Sequence, residues 1–207
     1  GRVGRIFLNR PEVRNAFNAE VIAELTSAFT QSAADPELRA IVLGGHGKAF
    51  CAGADLAWMR AMAEFSWEEN RADAQTLADM LWTIYRCPIP VVGRIHGDCY
   101  AGGVGLAAVC DVLVVADGAN FCLSEARLGL LPATIGPYVI RALGEQASRR
   151  YFTTAEQFDA ATLRAWITLD WDQQYGRLPP EQRTQLDAHL DALLAAGIAE
   201  SRVKLDK

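Results

Sequence analysis

Two glycine-rich stretches about fifty residues apart contain the most specific chemistry in this chain. The first is KAFCAGADL at Lys48–Leu56, and the second is GDCYAGGVGLAAVCD at Gly97–Asp111. Each follows an apolar run and leads into a helical pattern, so backbone N–H groups at the helix start have no intrahelical partner. Two such sets of donors can stabilise one developing negative charge from two sides, which is an oxyanion hole. The alternative is that these glycines only form turns.

Glu125 is the candidate acid and base, because it follows the apolar segment Asn120–Leu123. A carboxyl group in an apolar pocket has a raised pKa and can both accept a proton from water and deliver one to carbon. The alternative is an ordinary solvated carboxylate at the end of a strand.

Four segments resemble the crotonase (enoyl-CoA hydratase/isomerase) family, in the order and spacing of that family, from about Arg2 to about Ala161. They are NRPEVRNAF at Asn9–Phe17, AGAD at Ala52–Asp55, the HG and AGG groups within His96–Gly103, and SEARLGL at Ser124–Leu130. Within the family, the stretches Asp55–Ala63 and Cys122–Leu130 are most similar to bacterial methylglutaconyl-CoA hydratases of leucine and isoprenoid breakdown.

The resemblance implies an α/β fold, a spiral of ββα units with a helical C-terminal part that builds trimers. It divides the chain into a spiral core at 1–152 with the CoA and active site, and a helical C-terminal part at 153–207 that we expect to be incomplete. It also implies that the N–H groups of Ala54 and Gly102 form the oxyanion hole and that Glu125 is catalytic. The substrate would be a CoA thioester, with no permanently bound cofactor.

The same resemblance predicts the residues that line the pantetheine and adenine pocket, largely through backbone groups. They are Arg14, Asn15, Ala16, Lys48, Ala52 and Ala54. Arg14 or Lys48 could meet a CoA phosphate in a charge-assisted contact, although either is equally plausible as a solvated surface cation.

Gly105 stands where many hydratases of the family have a first glutamate. Glu125 would then handle both protons alone, as in the methylglutaconyl-CoA hydratases. We expect Gly105 to leave space for the far carboxylate of an acidic acyl group, with Arg60 or Arg127 as its cationic partner.

Hydrophobic periodicity predicts alternating strands and helices that position these groups. Strands are predicted at 2–8, 40–43, 90–95, 112–116 and 120–123. Helices are predicted after the N-caps Asn18 and Ser66, from the second glycine stretch to Val109, and at 137–143, 145–152 and 184–195. Gly44–Gly47 is predicted to be a loop.

Composition excludes several classes of protein. A net charge of −5 argues against nucleic-acid binding, and no apolar run is long enough to span a membrane. The five cysteines have no metal-binding spacing, and no signal peptide is visible, so we expect a cytoplasmic protein with reduced thiols and no metal.

Three functions remain open from the sequence. The first is a hydratase acting on a branched, carboxylated enoyl-CoA such as 3-methylglutaconyl-CoA. An enoyl-CoA isomerase would share the oxyanion hole and needs only one carboxylate. A non-catalytic acyl-CoA-binding or RNA-binding relative is the third. The resemblance predicts a homotrimer or a dimer of trimers.

Overall fold

In the computed structural model, which describes residues 2–165 together with Pro180 and Thr184, strands and helices alternate along the chain. The strands are β1 (Val3–Leu8), β2 (Ala40–Gly45), β3 (Ala49–Cys51), β4 (Val91–Ile95), β5 (Asp98–Tyr100), β6 (Val112–Val115), β7 (Asn120–Cys122) and β8 (Gln157–Asp159). The α-helices are α1 (Ala19–Ala34), α2 (Leu56–Met62), α3 (Trp67–Tyr85), α4 (Gly102–Ala108), α5 (Gly136–Leu143) and α6 (Glu145–Thr154). Short 3₁₀ helices lie at Pro11–Val13 and Ser124–Leu128.

The strands form two four-stranded sheets. The first sheet has the order β1-β2-β4-β6, and all of its neighbouring strands are parallel. The second has the order β3-β5-β7-β8, in which only β8 is antiparallel to its neighbour. Consecutive ββα segments thus give one strand to each sheet, which agrees with the predicted α/β spiral.

The two predicted N-caps are confirmed. The Asn18 side chain accepts a hydrogen bond from the N–H of Val21 at 3.1 Å and begins α1. Ser66 and Glu69 form a capping box that begins α3. Both helices contribute their apolar faces to the main hydrophobic core.

Gly44 and Gly45 are a correction, because they extend β2 instead of forming a loop. They pair with Phe7 and Leu8 of β1. A Cβ atom at Gly44 would lie 2.8 Å from Cε1 of the Phe7 ring. These glycines therefore allow side chains to approach the strand closely. From the sequence alone, glycines with this role cannot be distinguished from glycines that form a turn.

The division of the chain at residue 152 into a spiral core and a helical part stays a prediction. Residue 152 lies within α6, and β8 then adds an antiparallel strand to the second sheet. Cα partners Phe121 and Phe158 stack across this pair with ring centroids 5.4 Å apart. The remainder of the expected helical part, including the helix predicted at 184–195 apart from Thr184, lies outside the described residues.

Candidate active site

The three predicted catalytic groups follow the carboxyl ends of three neighbouring parallel strands. Ala54 comes three residues after β3, Gly102 two residues after β5, and Glu125 three residues after β7. The pairs Cys51–Cys99 and Tyr100–Cys122 hold these strands in register. Because parallel strands end at one edge of a sheet, the fold brings together groups that are up to seventy-one residues apart in sequence.

A short parallel pairing with the segment before α1 fixes the loop of Ala54. The N–H of Phe17 donates to the carbonyl of Gly53, and the carbonyl of Phe17 accepts from the N–H of Asp55, both at 2.9 Å. Phe17 therefore forms a bridge opposite Ala54. In a parallel bridge, the residue opposite directs its own N–H away from its partner. The N–H of Ala54 makes no hydrogen bond to any of the described residues.

The loop of Gly102 lies directly against the loop of Ala54. A Cβ atom at Gly53 would be 3.1 Å from the Gly102 nitrogen, and one at Gly103 would be 2.4 Å from the Cys51 carbonyl oxygen. Gly53 has φ +87°, a conformation that favours glycine. Gly102 is the first residue of α4, so its N–H has no intrahelical acceptor. The two loops thus place two backbone donors beside each other.

Glu125 lies in the 3₁₀ helix that follows β7, a small shift from its predicted place at the strand end. The carbonyl of Cys122 accepts from the N–H of Ala101 at 2.8 Å, which ties this helix to the start of the Gly102 loop. Oε2 of Glu125 is buried and has no hydrogen-bond partner among the described residues. Burial raises the pKa of the carboxyl group, and its own backbone N–H opposes this to a smaller extent.

A raised pKa makes Glu125 a destabilising residue at neutral pH. The native state binds this proton more tightly than the unfolded state, so stability falls as pH rises through the range between the two pKa values. Glutamine has no charge to desolvate. We therefore expect Glu125→Gln to melt at a higher temperature than wild type near neutral pH. Thermal denaturation should show this gain shrinking as the pH falls below about 4.3, the ordinary pKa of glutamic acid, where the carboxyl group becomes protonated in both states. A gain that is independent of pH would contradict the burial of an ionised carboxylate.

The structure corrects the expectation that Gly105 leaves free space. A Cβ atom at Gly105 would lie 2.2 Å from Cγ2 of Ile135, which is 3% exposed. The guanidinium group of Arg127 already has a partner within the protein, because its Nη2 donates to the carbonyl of Ala155 at 2.6 Å. Ile135 thus fills the position beside α4 with an apolar side chain, and the expected basis for selecting an acidic acyl group is wrong.

This contact predicts a stability effect at Gly105. Replacing a helical glycine by alanine ordinarily stabilises a protein by about 0.5–1 kcal/mol. Here the added methyl group overpacks Ile135, and we expect Gly105→Ala to lower the free energy of unfolding by about 1–3 kcal/mol. Chemical denaturation measures this difference. Gly118→Ala is the matched control, because a Cβ atom there meets nothing within 4 Å. In the Ile135→Ala background, where the clash is absent, Gly105→Ala should no longer lower the free energy of unfolding, whereas an unchanged loss there would contradict this contact.

The predicted CoA-binding residues line the two edges of the Ala54 loop. Arg14 is exposed, and one of its guanidinium nitrogens lies 3.8 Å from a carboxylate oxygen of Asp98. Lys48 is exposed just before β3. Both cations therefore remain accessible to a phosphate.

The neighbouring predicted residues make hydrogen bonds within the protein that stabilise the loop. Asn15 is buried, and its side chain accepts from the N–H of Arg10 and donates to the carbonyls of His46 and Ala49. The carbonyl of Ala16 accepts from Arg10, and the N–H of Ala52 donates to the carbonyl of Arg14 at 3.0 Å. These contacts support the walls of the loop, and the Asn15 side chain is fully engaged within the protein.

The sequence did not predict the contacts of two residues near the site. Arg10 donates to Asp55, which sits next to Ala54, and the NRP motif gave no indication of that partner. Ile135 contacts Gly105 across thirty residues of sequence, which no local pattern reveals. His96 is held by a 2.9 Å hydrogen bond between Nε2 and the carbonyl of Gly47.

The described residues contain no group of three or more His, Cys, Asp or Glu side chains that could hold a metal ion. Within the same part of the chain, no helix has the length and apolar character needed to cross a membrane. All five cysteines are free, and desolvation raises the pKa of buried Cys51 to about 12, so this thiol is protonated.

The family described as enoyl-CoA hydratase/isomerase matches residues 1–167. An enoyl-CoA hydratase from Alternaria alternata, ACTT6, is 38% identical over 159 residues, which are 77% of this chain and 51% of that protein. The chain spans between about half and two thirds of the length of the curated relatives that it matches.

Solved structures show the same fold. An enoyl-CoA hydratase from Shewanella pealeana superposes with a TM-score of 0.79 and 29% identity, covering 97% of this chain and 86% of that one. Pseudomonas aeruginosa AtuE has a TM-score of 0.74 and 32% identity, covering 98% and 83%.

Proposed function

Because this chain belongs to the enoyl-CoA hydratase/isomerase family, we propose that it adds water across the double bond of a 2-enoyl-CoA. The observation that supports this most is the meeting of Ala54, Gly102 and Glu125 at the carboxyl ends of β3, β5 and β7. Two backbone donors and one desolvated carboxyl group are what this reaction requires.

The mechanism begins with ionised Glu125, which accepts a proton from water as the water oxygen forms a bond to Cβ of the substrate. The electrons of the double bond move toward the thioester, and negative charge develops on its oxygen. The N–H groups of Ala54 and Gly102 stabilise that charge and need little reorganisation, because the loops already hold them in place.

Glu125 then returns its proton to Cα, and the thioester carbonyl re-forms. Every atom is accounted for, since the water contributes a hydroxyl group to Cβ and a proton to Cα. The raised pKa assists the second half of the cycle, because a carboxyl group of higher pKa remains protonated nearer to the working pH. The predicted cations Arg14 and Lys48 would bind the CoA phosphates at the rim.

For the acyl group, we propose 3-methylglutaconyl-CoA or a related branched, carboxylated enoyl-CoA. The support is the similarity of Asp55–Ala63 and Cys122–Leu130 to the bacterial methylglutaconyl-CoA hydratases. Arg60 remains a candidate partner for the far carboxylate, because it is exposed on α2, directly after the Ala54 loop.

An enoyl-CoA isomerase is the second candidate, and the apolar contact between Gly105 and Ile135 favours it. Residue 105 is a glycine against which Ile135 packs, so Glu125 has no second carboxylate there, and a single group suffices to move a proton between two carbons.

Mass spectrometry of the product separates the two functions. The protein is incubated with a panel that includes 3-methylglutaconyl-CoA and crotonyl-CoA. A hydratase gives a product heavier by one water molecule, with faster turnover of the carboxylated substrate. A product of unchanged mass but altered chromatographic retention would establish the isomerase instead, and no change in any substrate would contradict both.

We also propose a homotrimer or dimer of trimers, in a reducing cytoplasm that suits five free thiols. Exposed apolar side chains after Glu125 support an interface there: Leu128 is 58% exposed and Leu131 is 83% exposed. Sedimentation equilibrium is expected to give three or six times the mass of the chain. A stable monomer at micromolar concentration would contradict this assembly.

A further inference from the structure

The ion pair of Arg10 and Asp55 lies near the site but takes no part in the proposed chemical steps. Arg10 precedes the 3₁₀ helix at Pro11–Val13, and its Nη2 donates to Oδ2 of Asp55 at 2.9 Å. The second arm of the same guanidinium group, Nη1, donates to the carbonyl of Ala16 at 2.6 Å. The Arg10 side chain is 28% exposed and that of Asp55 is 13% exposed. The pair is thus partly buried, and its two-armed geometry requires an arginine.

Both residues joined by Arg10 lie next to the bridge that orients Ala54. Ala16 precedes Phe17, which is opposite Ala54, and Asp55 follows Ala54 directly. Arg10 therefore connects the two segments of the parallel Phe17–Ala54 bridge diagonally, from the residue before Phe17 to the residue after Ala54. Movement of either side would rotate the peptide unit that contains the Ala54 N–H.

Asp55 is held from its other oxygen as well. Its Oδ1 accepts from the N–H of Ala57 at 2.8 Å and caps α2. That hydrogen bond, and after it the one from Arg10, hold the pKa of the carboxyl group below its usual range. Asp55 is consequently ionised at neutral pH and available to the guanidinium group.

We propose that Arg10 is a positioning residue that, through Asp55 and Ala16, fixes the direction of the Ala54 N–H in the oxyanion hole. This inference rests on the proposed function in one respect, namely that the Ala54 N–H binds a thioester oxygen. Arg10 itself touches no substrate atom and acts through the loop.

The test measures the polarisation of a bound thioester. Butyryl-CoA has no double bond and cannot be hydrated, so the infrared stretching frequency of its carbonyl group reports the oxyanion hole alone. Wild type is expected to lower this frequency on binding. Arg10→Met should lose much of that shift and lower kcat for the enoyl-CoA substrate by about tenfold or more, short of the 10²–10³-fold loss of a whole donor. KM should change less than kcat, because the loss falls on the transition state.

Three further variants separate positioning from stability. Arg10→Lys keeps the charge, but a single ammonium group cannot reach both acceptors as the guanidinium group does. It should therefore retain part of the carbonyl shift that Arg10→Met loses. Asp55→Asn combined with Arg10→Met should give less than the product of the two separate rate effects, since both remove one contact. Arg150→Met breaks the exposed pair of Arg150 and Glu156, which joins α6 to the start of β8, and should leave kcat and the carbonyl shift unchanged.

The outcomes distinguish this inference from the proposed function. If Arg10→Met lowers only the melting temperature and keeps the carbonyl shift and kcat of wild type, the positioning role is overturned. A wild-type protein that shifts the carbonyl but never adds water overturns the proposed hydratase and keeps the role of Arg10. Absence of a shift in wild type overturns both.

Discussion

Glu125→Gln is expected to lower kcat by at least about 10³-fold, in the upper part of the range for general acid–base catalysis. Glutamine preserves the shape of the side chain but cannot accept a proton from water. Residue 105 is a glycine packed against Ile135, so no carboxylate is present there to replace Glu125. Acyl-CoA binding should change little, since the proposed oxyanion donors are backbone groups. Steady-state kinetics and a direct binding measurement check the two halves of this prediction.

Glu145→Gln provides the matched control. Glu145 lies at the start of α6, its side chain is 79% exposed, and its one ion pair within the described part of the chain is with neighbouring Arg149. This variant should retain wild-type turnover. If Glu125→Gln also retains it, Glu125 is not the acid and base, and another group must activate the water.

The second large effect is expected at Gly102. A Cβ atom there would lie 2.4 Å from Cζ of Phe17, whose ring is 1% exposed and cannot move into solvent. The loop must shift instead, and with it the Gly102 N–H. Removal of one oxyanion donor lowers kcat by about 10²–10³-fold, and we expect Gly102→Ala to approach this loss in kcat.

Gly118→Ala, with open space around the added methyl group, should leave kcat unchanged. Shortening the ring in Gly102→Ala/Phe17→Leu should recover part of the activity if the clash is the cause. Wild-type turnover by Gly102→Ala would mean that the Gly102 N–H does not stabilise the transition state.

The sequence was most informative where chemistry depends on local order. The glycine stretches, the SEARLGL segment and the two N-caps at Asn18 and Ser66 each act within a few residues, so their types and spacing reveal them. The longer strands β1, β2, β4 and β6 were also predictable, because their apolar runs are long enough to be recognised.

The parts that could not be predicted depend on contacts between distant segments. Strands β3 and β5 have three residues each and lie inside or beside the glycine-rich stretches, whose turn residues hide them, and they are defined by pairing with each other. Contacts between distant segments also account for the packing of Ile135 on Gly105 and for the partner of Arg10. In each case the residue type is compatible with many environments, and only the folded chain selects one.

Isotope labelling of the product tests most directly whether one carboxyl group handles both protons. The enoyl-CoA is converted in deuterated water that also contains heavy oxygen, and the label positions are read by mass spectrometry and NMR. We predict that wild type places one deuterium on Cα and one labelled hydroxyl group on Cβ. In Glu125→Gln, the rates of incorporation of the two labels should fall by the same factor. If Glu125→Gln stops adding the hydroxyl group but still exchanges a Cα proton of the 3-hydroxyacyl-CoA product with solvent at the wild-type rate, a second group protonates Cα and the account is contradicted.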